Sequence, residues 1–96
     1  MELLLSTDPP HVSLRCEGVR APFRIVFTDH AAERAARYGI AYNDVADAIF
    51  DGHQDRRRNP GSGDWLVRRG QLAVIYDWPN ADDEATARVI TVWLDR

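Results

Sequence analysis

Lysine is missing from this sequence altogether, so all 12 basic side chains are arginine. A GC-rich genome produces that usage as readily as phosphate recognition does, so it excludes little by itself. Cysteine is nearly missing too. The lone Cys16 rules out an internal disulfide and a cysteine metal cluster, and it points to a reducing cytoplasm. With no base near it in sequence, Cys16 is a poor nucleophile. Long apolar runs are absent, far short of the ~20 residues that span a bilayer. The opening Met1-Glu2-Leu3-Leu4-Leu5-Ser6 lacks the basic flank and apolar stretch of a signal peptide. These absences lead us to expect a cytoplasmic protein with no membrane partner. At 96 residues the chain has room for one domain and one modest core. A composition of 45% apolar and 28% charged residues is that of a folded domain, not of a disordered chain.

The formal net charge is -3, whereas domains that hold phosphates usually carry a basic balance. The average hides a local excess. Residues 1–50 hold 5 arginines and 7 acids, residues 51–70 hold 5 arginines and 3 acids, and residues 71–96 hold 2 arginines and 5 acids. Positive charge is therefore concentrated in the middle segment.

Residues 1–22 read as an N-terminal extension, broken by Asp8-Pro9-Pro10 and Ala21-Pro22, with one short strand between Val12 and Cys16. A single domain follows over 23–96. Phe23 to Phe27 is β-branched and aromatic and reads as a strand. Thr28 or Asp29 offers a cap, and the alanine-rich run to Tyr38 reads as a helix stopped by Gly39. Tyr42, Val45, Ala46 and Ile49 recur with the spacing of one buried helix face, ended by Asp51-Gly52. His53 to Asp64 is a polar loop. Trp65 to Arg69, Leu72 to Trp78 and Arg88 to Leu94 then read as three strands, with an acidic loop at Pro79 to Ala87. The expected fold is α+β: a strand, two helices and an antiparallel three-strand meander, the helices on one face. Alternation in the last strand puts Ile90, Val92 and Leu94 on one face and Val89, Thr91 and Trp93 on the other. With the first set under the helices, Thr91, Trp93 and Arg68 share the open face.

The best chemical motif is His30-x-x-x-Arg34 with Arg37 one turn on. At 100° per residue the three form one narrow stripe on the first helix. Histidine moves a proton near neutral pH, and an arginine one turn away forks onto a phosphate. Cleavage of a phosphodiester by its own 2′-hydroxyl needs a base, an acid and cations, and no metal. The plain alternative is a solvated His at a helix start. A second candidate is Arg56-Arg57-Arg58 with Arg68-Arg69 and Trp65, able to hold an RNA backbone and stack on a base. Its alternative is a surface loop paired with Asp51, Asp55 and Asp64. Thr91 is either a hydroxyl for the scissile phosphate or simply a good strand residue. His11, His30 and His53 lack metal-ligand spacing and Asp82-Asp83-Glu84 lacks a calcium-loop signature, so neither a metal nor a cofactor is expected.

Phe27-Thr28-Asp29-His30-Ala31-x-x-Arg34-x-x-Arg37-x-Gly39-Ile40-x-x-x-Asp44-Val45 resembles the opening of a family of small bacterial domains of unknown function. The later hairpin and the closing Val89-Ile90-Thr91-Val92-Trp93 strand fit as well, so the likeness runs from about Phe23 to Leu94. That family is similar to the barnase–EndoU–colicin–RelE group of metal-independent ribonuclease folds. The resemblance implies a RelE-like endoribonuclease, the toxin component of a toxin–antitoxin or related system. Its partners would be RNA and a cognate antitoxin or immunity protein. In it His30 would be the acid/base residue, Arg34 and Arg68 phosphate clamps, and Thr91 a hydroxyl near the scissile group. Tyr76 or Trp93 would stack a base. The competing reading is a non-catalytic protein-binding module of the same fold, held through the acidic loop and the extension.

Overall fold

The computed structural model describes Glu2–Leu3, His11–Leu14 and residues 22–95. Cys16 and the rest of the extension lie outside the described residues. Glu2–Leu3 (β1) and His11–Leu14 (β2) are strands, and Arg24–Phe27 (β3) begins the part described without a break. Two helices follow, Asp29–Tyr38 (α1) and Tyr42–Gly52 (α2), then a short 3₁₀ turn at His53–Asp55. Four strands complete the chain: Arg57–Arg58 (β4), Trp65–Arg69 (β5), Leu72–Asp77 (β6) and Thr86–Leu94 (β7).

Local chemistry accounts for the helix ends. Thr28 is extended, and its hydroxyl accepts a hydrogen bond from the Ala31 amide at 3.0 Å, satisfying one of the free donors of the first turn. Gly39 closes α1 in the left-handed region at φ 68°, where a residue without Cβ is strain-free. Ala41 has no side chain to cap α2. That helix is held instead by burial of Val45, Ala46, Ala48 and Ile49.

The seven strands among the described residues form one mixed sheet in the order β1-β2-β3-β7-β6-β5-β4. β5, β6 and β7 are the antiparallel meander. β3 pairs with β7 in parallel, because both helices intervene and the chain crosses over before returning. The extension continues the sheet beyond β3, and the Arg57–Arg58 segment of the polar loop supplies the opposite edge. One core cluster joins Ala31 and Ala35 of α1 and the buried face of α2 to Ile25, Phe27, Val67, Val74, Tyr76, Ala87, Val89 and Val92 of the sheet.

The expected alternation of the last strand needs one correction. Ile75 pairs with Thr91 but Tyr76 pairs with Val89, so Ile90 is an extra residue in β7. A bulge of this kind shifts the two-residue period by one. Val89 and Val92 therefore both face the core, fully buried, while Ile90 is only half-buried. Beyond the bulge the period resumes, with Thr91 and Trp93 on the outer face.

Candidate active site on the open face of the sheet

β3 stops at Phe27, opposite Val89, and α1 then packs beside the remaining length of β7. The Thr28 amide donates to the Val89 carbonyl at 3.1 Å, and the Thr28 hydroxyl donates to the Ile90 carbonyl at 3.4 Å. These bonds tie the start of α1 to the bulge. They bring His30 and Thr91, 61 residues apart, together: His30 Nε2 lies 3.3 Å from the Thr91 hydroxyl in an exposed position. Arg34 lies one turn on in the same stripe of α1. It is half-buried and makes no hydrogen bond or ion pair with a described residue. Arg37 pairs instead with Glu33 at 2.6 Å, an exposed i,i+4 bridge, which leaves it a lesser part of the site.

Arg68, Ala73 and Trp93 line up across β5, β6 and β7 on the face that carries Thr91. Ala73 is fully buried beneath its larger neighbours. Asp95 joins the outer two: its carboxylate accepts from the Arg68 guanidinium and, at 2.8 Å, from the Trp93 indole N–H. These bonds hold its carboxyl below the ordinary range, the Arg68 bond foremost. No sequence motif marks Asp95, although the two-residue period of the strand puts it on the same face as Thr91 and Trp93.

The loop between β4 and β5 closes the other side of this face. The Asn59 side-chain amide donates to the carbonyls of Ser62 at 2.9 Å and Gly63 at 3.2 Å. Gly63 is pressed against Ile75 and Ile90, beside the Thr91 pair. Ile75 is consequently only 5% exposed despite facing away from the helices.

The arginine-rich loop does not act as one unit. Arg57 pairs with Leu66 and Arg58 with Trp65, so successive arginines of β4 point to opposite faces. Arg58 lies with its guanidinium 5.0 Å from the Trp65 ring centre, on the helix side. Arg56 is wedged 4.3 Å from Trp65 and 5.1 Å from Trp78 and donates to the His53 carbonyl. Its Nε is buried with no partner among the described residues, which marks it as a packing residue and not a phosphate clamp. Trp65 in turn donates to the Trp78 carbonyl at 3.1 Å. Arg69 bridges to Asp51 at 3.0 Å and Asp47 at 3.9 Å on α2, the surface pairing expected of an ordinary solvated loop. Tyr76 is a clear correction. It is completely buried under the helices, so no base can reach its ring.

The Tyr76 hydroxyl is instead bonded to His53 Nδ1 at 2.7 Å. No sequence signal marks this pair, which is 23 residues apart. His53 is 7% exposed, and its edge meets Trp78 with ring centres 4.5 Å apart. Burial, and secondly the Arg56 charge, press its pKa down from 6.5 to about 4. Burial likewise pushes the Tyr76 phenol above its ordinary value, so the pair is neutral at pH 7. The unfolded chain takes up the His53 proton first as pH falls. Stability from this pair is therefore complete above about pH 6.5 and declines toward pH 4. The expected loss is on the order of 1–2 kcal/mol, below the full value of such a shift because half-buried Arg56 admits solvent screening. Urea titrations at pH 7.5 and 4.5 should show this slope, and His53→Gln should flatten it. Tyr76→Phe, which strands a buried ring nitrogen, should cost about 1–3 kcal/mol in the same titration at pH 7.5.

Among the described residues no three His, Cys, Asp or Glu side chains are grouped to hold a metal ion, and no helix is long and apolar enough to cross a membrane. No family model matches the chain, and no curated protein or solved structure matches it.

Proposed function

We propose that this chain is a metal-independent endoribonuclease of RelE-like architecture, the toxin component of a toxin–antitoxin or related system. The observation that carries the reading is the 3.3 Å approach of His30 Nε2 to the Thr91 hydroxyl at the open face, with Arg34, unpaired among the described residues, one turn away. A base, a hydroxyl and a cation converge there from two elements distant in sequence. In the reaction His30 takes the proton of a ribose 2′-hydroxyl. The 2′-oxygen attacks the adjacent phosphorus, and the bond from phosphorus to the 5′-oxygen breaks. A proton returned to that 5′-oxygen leaves a 2′,3′-cyclic phosphate and a free 5′-hydroxyl. Arg34 neutralises charge on the pentavalent intermediate, where a fixed cation lowers the barrier most. Thr91 orients the imidazole or the phosphate. Trp93 offers its indole to a base, and Arg68 reaches the phosphate after releasing Asp95.

The test is cleavage of a fluorescent RNA in excess EDTA. Fragments ending in 2′,3′-cyclic phosphate are expected, with a 2′-deoxy analogue left intact. Uncut RNA, together with normal growth of cells expressing the chain, would remove the enzyme reading. The protein-binding module then becomes the better account. For that reading the acidic loop offers Asp82 and Glu84, since Asp83 is engaged by Thr86 and Ala85 within the loop.

A further inference from the structure

The sheet is left open along part of one edge. β4 reaches only as far as Arg57, opposite Leu66, and Arg56 then turns away, its amide donating to the His53 carbonyl. Beside Val67, Arg68 and Arg69 of β5 no strand among the described residues takes its place. The Asp64 carbonyl accepts from the Asn59 amide across β4 and β5, so the two-residue period aims the N–H and C=O of Leu66 and Arg68 at this same edge. Arg57 stands opposite Leu66, whereas the Arg68 groups have no backbone partner there among the described residues.

A groove of about 810 Å³ runs along this edge. Four consecutive residues of β5, Leu66 to Arg69, line one wall, and Asp51 and Asp55 line the other. Consecutive strand residues point to alternate faces, so only a gap beside the strand meets all four. Charge is divided across it. On the open-face side stand Arg57 and Arg68, which between them have one acid, the Asp95 bound to Arg68. On the helix side Arg69 stands among Asp47, Asp51 and Asp55. One side is therefore net positive and the other net negative. Arg57 and Asp55 are exposed, and their side chains make no hydrogen bond or ion pair with a described residue.

We propose that this groove takes an extended segment of a partner protein, which adds to β5 as an antiparallel strand in line with β4. The main-chain bond is to Arg68. Acidic side chains of the segment lie on the open-face side against Arg57 and Arg68, and the basic ones that alternate with them lie against Asp51 and Asp55. A second copy of this chain fits poorly. Two β5 edges in antiparallel pairing would bring two copies of Arg68 together along an edge that β4 shortens to three residues. A nucleic-acid backbone would meet the carboxylates of the helix side. The inference stands apart from the ribonuclease reading, since it uses the Arg68 main chain and the groove and not His30.

The experiment is amide NMR with hydrogen exchange on the full chain, using as probe an octapeptide of alternating Glu and Lys. As a strand this peptide carries its acids on one face and its bases on the other. The control has the same composition in two blocks, all Glu followed by all Lys. The Arg68 amide should exchange freely in the protein alone and about tenfold more slowly or less with the alternating peptide at saturation. The block peptide should bind about tenfold more weakly. Opposed residues of an antiparallel pair exchange their N–H···O bonds, and the residue opposite Arg68 is acidic. A peptide N-methylated at every Glu should therefore lose binding, and one N-methylated at every Lys should keep it. Arg57→Glu and Asp55→Lys, both at exposed positions, should each weaken the alternating peptide about fivefold, on the scale of a surface ion pair. No change at the Arg68 amide with the alternating peptide at millimolar concentration, or equal binding of the block peptide, would overturn the proposal. Protection of that amide which rises with protein concentration and needs no peptide would give the edge to a second copy. Protection by a ten-nucleotide RNA and not by the peptide would give it to nucleic acid, and either result overturns the proposal.

Discussion

His30→Ala is expected to slow RNA cleavage by about 10²- to 10⁴-fold, the range in which a positioned proton-transfer group acts. The loss should fall on kcat with KM little changed, since the imidazole handles a proton and contributes little to binding. His30 is exposed at a helix start that Thr28 caps, so unfolding free energy should move by no more than about 0.5 kcal/mol. Thr91→Val should act in the same direction but less, because it removes the hydrogen bond to the ring and leaves the ring itself. Single-turnover cleavage of a labelled RNA measures both. A His30→Ala protein that cuts at the wild-type rate would assign the chemistry elsewhere. His53 would be no substitute, since it is buried with its Nδ1 taken by Tyr76.

Gly63→Ala is expected to lower the unfolding free energy by about 3 kcal/mol, the sum of a backbone cost and a packing cost. Gly63 sits at φ 89°, a region in which a Cβ is disfavoured by roughly 1–2 kcal/mol. That Cβ would also lie 2.4 Å from Ile75 Cγ2 and 3.3 Å from Ile90 Cγ1. Ile75 belongs to β6, an inner strand paired on both sides, so the clash cannot be relieved by moving it away. Overpacking of this kind costs about 1–3 kcal/mol. Urea denaturation reads the sum. A change below about 1 kcal/mol would mean that the loop lifts off Ile75 as a unit. Cleavage should then change as well, because the loop borders Thr91. Gly39→Ala is the comparison. Its φ of 68° carries the backbone cost, but a Cβ there meets nothing within 4 Å, so about 1 kcal/mol is expected.

Much of the fold is legible in the chain itself. The Thr28 cap, the Gly39 stop and the buried stripe of α2 follow from rules acting within a few residues. The strand cores of β3, β5, β6 and β7 follow in the same way. The His30–Arg34 stripe is legible for the same reason, since helix periodicity alone puts side chains four apart on one face. In the extension, the strand expected between Val12 and Cys16 overlaps β2 at Val12–Leu14, whereas β1 and the pairing of β2 with β3 are not legible. What fails is phase. The extra residue at Ile90 reverses the facing of Val89, and the two-residue period gives no warning of it. Arg57 and Arg58 look like one basic run, yet adjacent strand residues point to opposite faces once the loop is known to be a strand.

The sequence by itself determined the α+β class, the helix boundaries, the place where positive charge gathers and the stripe that carries His30. Each depends on neighbours close along the chain, whose geometry the backbone dictates. Only the tertiary structure decided which distant parts meet. The parallel β3–β7 pairing sets α1 beside the outer half of β7 and so delivers His30 to Thr91. Core packing buries Tyr76 and couples it to His53, and strand register hands Arg68 and Trp93 to Asp95. Those outcomes turn on pairing register and loop closure between residues tens of positions apart, where one inserted residue is enough to exchange the faces of a strand.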